Sequence, residues 1–478
     1  MKSLITLAKK TLLDNRRRGY TLPTNNKLYP AQWNWDSGFI ALGYSYFNLN
    51  FALKEINTLL EGQWKDGMVP HILFHKINTN YYPNYTSWNC GNKIHSSGIT
   101  QPPILATILK RILDKNEINN DQFLTVKKII KKIKKFHEWF IKFRDPKKIG
   151  LVSILHPWES GYDNSPIWDS SMEQIKIEKN LKYKRVDNKV INPQHRPQNI
   201  DYDRYVTIKN HLRKIKYNPK LAYKSSPFNV IDVGFNSIFL KANKDLICLL
   251  DKFNLDQSKI NKYIKLTEKN FLKLYDKKKE TFFSKDIKNK KRIYIPSITN
   301  YFVLFADLDN SKVNKKLIQN LKKYNINEKY FFSSIKPNHK SFEEKRYWRG
   351  PVWINCNWFI YQGLKNKDIT FSNLVKKKTI ELLEKSRNEV KEIIISLLDL
   401  CKKIYLLDRQ SVIVRSWNDH KLAYHAGVPR EAAHTSLHTR HRCLCGLLGA
   451  RAPLYLTLEK VVGSRTVPQT SRQAHTQT

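Results

Sequence analysis

The segment FLTVKKIIKKIKKFHEWFIKF, Phe123 to Phe143, constrains what this chain can fold into more than any other. Phe123, Val126, Ile129, Ile130, Ile133, Phe136, Trp139 and Phe140 recur at spacings of three and four, with lysines between them. On a helix this spacing gathers the apolar side chains into one stripe and leaves the lysines on the opposite face. Such a helix depends on a partner that covers its stripe, so the pattern predicts helix packed on helix. Similar patterns run from Pro102 to Leu113, Val233 to Leu250, Ile260 to Tyr275 and Val352 to Leu364. The opening MKSLITLAKKTLLDNRRRGY predicts an amphipathic first helix, because Lys9, Lys10 and Asp14 interrupt it before a signal-peptide core can form. Gly and Pro gather in the loops, for example Pro70, Pro83, Pro102, Pro103, Pro157, Pro166 and Pro351. Long strand-like alternation is almost absent and no solenoid period is visible. An all-α architecture of paired helices is therefore expected, not an α/β fold.

With 478 residues, 41% of them hydrophobic, the chain can bury a full core. No apolar run approaches the roughly 18 residues that span a bilayer, so a soluble protein with no membrane partner is expected. Six cysteines, Cys90, Cys248, Cys356, Cys401, Cys443 and Cys445, are too few and too scattered for a disulfide framework, which fits a reducing cytoplasm. The formal net charge of +44, from 85 Lys and Arg against 41 Asp and Glu, raises the question of a nucleic-acid partner. The lysines, however, are spread through nearly every helix-like segment as a global bias, while Trp and Tyr sit in separate clusters poor in lysine. That distribution argues against a specific nucleic-acid partner and for a field that steers a small anionic substrate.

Those aromatic clusters precede helices. YPAQWNWDSGFIALG contains Tyr29, Gln32, Trp33, Trp35, Asp36 and Ser37, where Asp36 could be no more than a helix N-cap. DGMVPHILFH follows, then GITQPPILA with Gln101 before two prolines, and RYWRGPVWINCNWFIYQGL with Arg346, Tyr347, Trp348 and Arg349. The most informative loop is HPWESGYDNSP, His156 to Pro166. Its Glu159, Asp163 and Asn164 can bind hydroxyls or move protons, and Trp158 with the nearby Trp168 offers flat faces for a pyranose ring. In isolation the Asp-Asn-Ser-Pro run would be a surface turn. Together the clusters point to one pocket for a carbohydrate or other polar small molecule.

Tyr29 to Ser37, Gly67 to His71, Gly98 to Pro103, His156 to Pro166 and Tyr347 to Asn355 resemble, in order and wording, the successive motifs of glycoside hydrolase family 63. The branch they resemble is that of the mannosylglycerate and glucosylglycerate hydrolases, over roughly the first 400 residues. The resemblance implies an (α/α)6 toroid with the site at one mouth, and inverting hydrolysis of a small α-linked sugar conjugate. By the same comparison Asp163 is the general acid, and Tyr29, Trp33, Trp35, Asp36, Gln101, Trp158, Glu159, Tyr347 and Trp348 form the sugar-binding shell, with Asp36 and Glu159 holding hydroxyls. An inverting site also needs an ionised carboxylate about 6.5 to 9.5 Å from the acid to activate water. In this branch the aglycone carries a carboxylate, for which Arg349 or another cation at the mouth is the expected partner; the alternative for Arg349 is to tie its loop together. No cofactor and no metal are expected.

The sequence departs from the family where the base belongs. Members carry that glutamate near the C-terminus in a segment resembling F-Y-E-Y-F-x-P-x-T-G, which is not found here. Glu381, Glu384, Glu389 and Glu392 have helical spacing and sit in no aromatic loop. Two readings follow: a glycoside hydrolase with Asp163 as acid and its base missing or supplied elsewhere, and a non-catalytic carbohydrate-binding protein that keeps the aromatic shell. A basic nucleic-acid-binding protein is a third, resting on charge alone.

The domain expected over residues 1–405, lacking its last helix, gives way to an atypical Arg/His-rich tail over 406–478. From about Asp408 lysine yields to Arg409, Arg415, Arg430, Arg440, Arg442, Arg451, Arg465 and Arg472, and asparagine and isoleucine nearly vanish. His434, His438, His441, Cys443 and Cys445 match no zinc-finger or ribbon spacing, and residues 461–478 have the composition of a disordered end. The abrupt shift is the pattern expected of coding sequence read in another frame or joined from another source. Sequencing the transcript tests this: a junction or frame change near codon 408 is the expected result, and an uninterrupted in-frame message through a verified locus overturns it.

Overall fold

The computed structural model describes residues 2–24, 28–77, 80–324 and 330–385. The expectations for the tail from 406, its His/Cys cluster, Glu389 and Glu392 lie outside the described residues.

An inner ring of helices, two of them buried nearly all round, is surrounded by amphipathic helices. In α2 (Asn34–Tyr44) every residue but Asp36 is buried, and in α11 (Ile354–Leu364) every residue but Gln362. Between them in the ring come α4 (Leu105–Leu113), α7 (Val233–Lys252) and the short α9 (Val303–Ala306). Successive members touch, α2 with α4, α4 with α7, α7 with α9 and α9 with α11. The ring closes where Phe39 of α2 meets Trp358 and Phe359 of α11 edge-on, at centroid distances of 5.5 and 6.0 Å. Gly363 permits the approach of α11 to α9: a Cβ there would lie 2.6 Å from the backbone nitrogen of Phe305.

Outside this ring α3 (Leu49–Glu61) packs on α2, α8 (Ser258–Phe271) on α7, and α12 (Ile369–Lys385) on α11. The long helix predicted from its stripe is α5 (Asn120–Phe143), which packs on α3, α4 and α7. A reciprocal cap between Asn119 and Gln122 starts it. Its stripe from Val126 to Phe143 is buried as expected, whereas Phe123 stays exposed at the first turn and stacks on Phe253 at 4.7 Å. The remaining labelled helices are α1 (Lys2–Asn15), α6 (Asn199–Lys214) and α10 (Ser311–Lys322). The architecture is thus the expected all-α toroid. Predicted boundaries shift slightly: Pro102 and Pro103 remain outside α4, α11 begins at Ile354, and after Phe271 the chain turns into a 3₁₀ segment, Leu272–Leu274.

Strands are confined to the loops. Gln32–Trp33 (β1), Ile72–Phe74 (β2), Cys90–Gly91 (β3) and His95–Ser96 (β4) form one antiparallel sheet in the order β1-β2-β4-β3, with Gln32 opposite Leu73 and Trp33 opposite Ile72. This sheet carries the aromatic segment before α2. No helix among the described residues is long and apolar enough to cross a membrane.

A buried carboxyl fastens β1 and α2 to α3. Glu55 Oε1 accepts from Gln32 Nε2 at 2.9 Å and from Ser37 Oγ at 2.7 Å. Burial raises its pKa from 4.5 to about 7, against the lowering effect of those hydrogen bonds. A carboxyl that holds its proton more tightly when folded contributes stability at low pH that is lost as pH rises from the unfolded value to about 7. The loss amounts to about 3 kcal/mol at most, at 1.36 kcal/mol per unit. Glu55→Gln is expected to flatten this part of the stability curve, measured by urea unfolding between pH 5 and 8.

Candidate active site

At the mouth of the ring lies a cavity of about 370 Å³, the size of a sugar ring with a small substituent. Tyr29, Trp33, Trp35, Phe39, Tyr81, Trp158, Tyr202, Tyr347, Trp348 and Trp353 line it, with Asp36, His71, Gln101, Asp163, His195, Arg196, Lys345 and Asn355 among the polar groups. Segments far apart in the chain thus meet at one place. Trp348 and Trp353 stack at 4.0 Å and 10°, and Trp33 meets both Tyr29 and Tyr81 edge-on.

The loop carrying Asp163 is held at several points. Pro157–Ser160 form a 3₁₀ turn, and Gly161 follows at φ +80°. A Cβ on Gly161 would sit 2.5 Å from the Trp35 ring, so glycine is required both by the backbone and by this contact. The Tyr162 hydroxyl donates to Asp232, which also caps α7 by accepting from the Phe235 N–H, and Trp168 Nε1 donates to the Tyr162 carbonyl at 2.9 Å. Tyr205 donates its hydroxyl to the Asp163 carbonyl at 2.8 Å. The Asp163 side chain is left half-buried on the cavity wall. Burial raises its pKa from 3.8 to about 6, opposed chiefly by the positive charge of Arg196.

Asp36 occupies the first turn of α2, where the helix dipole favours a carboxylate, yet burial among apolar groups pushes its pKa up to about 7. It is not the N-cap; Trp33 holds that position, without a side-chain cap. Gln101 lies beside it, its Oε1 accepting from the Trp35 N–H at 3.2 Å.

Two expected shell residues are placed elsewhere. Glu159 is fully buried and does not line the cavity. Both its oxygens are used by Arg144, at 2.6 and 2.8 Å, and it also accepts from the Leu155 and Thr100 N–H groups. With those four donors it has no capacity to hold a sugar hydroxyl, and instead binds the acid loop to the segment bearing Gln101. Arg349 is paired bidentately with Asp169 at 2.7 and 2.9 Å and bridges Glu343 at 2.7 Å, so it ties loops together outside the cavity. Trp168 is a core residue, stacked on Tyr162 and not on the cavity wall. The other expected residues, Tyr29, Trp33, Trp35, Asp36, Gln101, Trp158, Asp163, Tyr347 and Trp348, do converge there.

The main residue not anticipated is Arg196, the arginine on the wall. It sits in NPQHRPQ, Asn192 to Gln198, and a cation fenced by prolines in a lysine-rich chain was the available signal. Tyr81, Tyr202, His195 and Trp353 were missed because no fixed spacing marks them.

A family model described as the mannosylglycerate hydrolase MGH1-like glycoside hydrolase domain matches residues 29–394. The chain belongs to this glycoside hydrolase family. A mannosylglycerate hydrolase of Thermus thermophilus is 37% identical over 362 residues, 75% of this chain and 87% of the relative. The glucosylglycerate hydrolase of Mycolicibacterium hassiacum is 28% identical over 361 residues, 69% of this chain and 79% of the relative. The crystal structure of the family 63 mannosylglycerate hydrolase from another strain of Thermus thermophilus, in complex with Tris and D-glycerate, is similar with a TM-score of 0.80 and 35% identity, covering 83% of this chain and 99% of the other. In this glycoside hydrolase, among the described residues, the carboxylates on the cavity wall are Asp36 and Asp163.

Because Arg196 is the largest influence holding the Asp163 carboxyl down, Arg196→Met is expected to move its titration above about 6. Carbon-detected NMR of labelled aspartate, with Asp163→Asn to identify the resonance, reads this directly.

Proposed function

We propose that the cavity binds a small, anionic, α-linked sugar conjugate of the mannosylglycerate or glucosylglycerate kind and hydrolyses it with inversion, Asp163 acting as general acid. The observation that carries this reading is the half-buried Asp163 carboxyl on the wall of an aromatic sugar-sized cavity, where burial pushes its pKa up to about 6. Protonated Asp163 would donate to the glycosidic oxygen as the bond from the anomeric carbon breaks, so the leaving group departs as a neutral hydroxyl. Tryptophan faces would receive the ring, and Asp36 and Gln101 its hydroxyls. Arg196 takes the role expected of Arg349 and faces the aglycone carboxylate. The excess of positive charge favours the approach of such a substrate. Thiols at Cys90 and Cys356 are unbridged, which accords with a cytoplasmic site of action.

Water attacking the opposite face must give its proton to a second carboxylate. The family's glutamate segment is not found in the sequence, and Asp36 is the other carboxylate on the described wall. This observation favours a second reading, a carbohydrate-binding protein that retains the shell without turnover.

Release of mannose or glucose from the two glycerate conjugates separates the readings. The hydrolase reading expects turnover that falls as pH rises through about 6 and drops by about 10²- to 10⁴-fold in Asp163→Asn with ligand binding kept. Saturable binding without turnover supports the binding protein. Turnover unchanged in Asp163→Asn removes Asp163 from the acid role.

A further inference from the structure

Arg196 does not stand alone. Its Nε donates to Asp187 Oδ2 at 2.9 Å, and its guanidinium lies 4.3 Å from the centre of the Tyr347 ring. Asp187 is shared. Arg185 grips it from the other side in a bidentate pair, Nε to Oδ1 at 3.1 Å and Nη2 to Oδ2 at 2.8 Å. The remaining nitrogen of Arg185, Nη1, donates to the Pro197 carbonyl at 2.7 Å and to Asn199 Oδ1 at 3.1 Å, and its plane covers Tyr202 at 4.0 Å. Arg185 therefore has its orientation set entirely by protein and does not line the cavity, whereas Arg196 does.

The charge count of this cluster is the informative quantity. Two guanidinium groups share the carboxylate of Asp187, and all three side chains are at most 8% exposed. Asp163, which lines the same cavity and is held down by the charge of Arg196, balances the second guanidinium only when ionised, so the surplus is present while Asp163 is protonated. A buried cluster with a surplus positive charge is costly unless an anion completes it. The bidentate geometry assigns Asp187 mainly to Arg185, because two hydrogen bonds in a planar fork outweigh the single one from Arg196. We infer that Arg185 is a specificity-determining residue: by holding Asp187 in its own fork, it leaves the charge of Arg196 uncommitted at the cavity wall and so makes the aglycone end select an anion over a neutral polyol. Without Arg185, Asp187 would pair one to one with Arg196 and neutralise it. The inference rests on the reading that Arg196 faces the aglycone carboxylate, and it needs no turnover.

Binding of D-glycerate and of glycerol, measured by calorimetry on the full chain at about pH 5, where Asp163 is protonated, tests it. Wild type is expected to bind D-glycerate more tightly than glycerol, and Arg196→Met to abolish that preference. Failure of either overturns the reading of Arg196 and the inference with it. Arg185→Met is expected to weaken D-glycerate about tenfold while leaving glycerol within about twofold. If D-glycerate binding is unchanged in Arg185→Met but lost in Arg196→Met, the reading stands and the inference is wrong. Equal weakening of both ligands would mean a merely structural role and also overturns it. The double substitution Arg185→Met with Asp187→Asn restores the surplus charge on Arg196, so it is expected to recover D-glycerate affinity relative to Arg185→Met. A second disruption does not rescue a damaged fold, and absence of recovery overturns the inference.

Discussion

The site depends on one buried ion pair. Arg144, at the end of α5, meets Glu159 in a two-bond fork, and the same carboxylate collects N–H groups from Leu155 and Thr100. Three segments are thereby joined: the close of an outer helix, the loop bearing Asp163, and the turn bearing Gln101. A fully buried carboxylate is tolerable only with such complete satisfaction, and removing one partner of a buried pair typically costs about 3 to 5 kcal/mol. Arg144 also covers Trp139 at 4.9 Å, so the pair is anchored in the α5 stripe. The periodicity that dictates helix packing and the polar contacts that position the site therefore meet in the same residues.

Around this anchor the cavity is electrostatically divided. Asp36 and Asp163 are both pushed toward the protonated form by burial among aromatic rings, to about 7 and about 6. Arg196 opposes that shift at Asp163, while the tyrosines around it stay neutral because burial raises their pKa values. Protonated carboxyls and a fixed guanidinium in one aromatic chamber can donate a proton at one point and hold an anion at another. The balance is set by Asp187, which faces Arg196, and by Arg185 behind it.

Much of this was legible in the chain. The α5 stripe, the all-round apolar helices α2 and α11, and the aromatic segments before them specify helices and their burial through spacing alone. The segments bearing Trp35, Gln101, Asp163 and Tyr347 could be recognised as parts of one site because each has unusual local wording. What spacing does not encode is which polar group in a motif turns inward to protein and which outward to ligand. Glu159 and Asp163 lie four residues apart in one loop, yet one is saturated by an arginine and the other borders the cavity. Arg349 is drawn away from its expected place for the same reason: Asp169, 180 residues distant in the chain, and the nearby Glu343 hold its guanidinium, while the unanticipated Arg196 borders the cavity.

The sequence by itself determined the all-α class, the family, the aromatic shell and Asp163 as the prominent carboxyl, because helical periodicity and motif wording are local properties. It also shows the change in composition near residue 408. Only the tertiary structure decided that Glu159 is a structural anchor, that Arg196 and not Arg349 borders the cavity, and that Arg185 stands behind it. Those assignments depend on competition among charges carried by different loops and helix ends. Such a competition is settled by distance and burial, and neither is written in the order of residues along the chain.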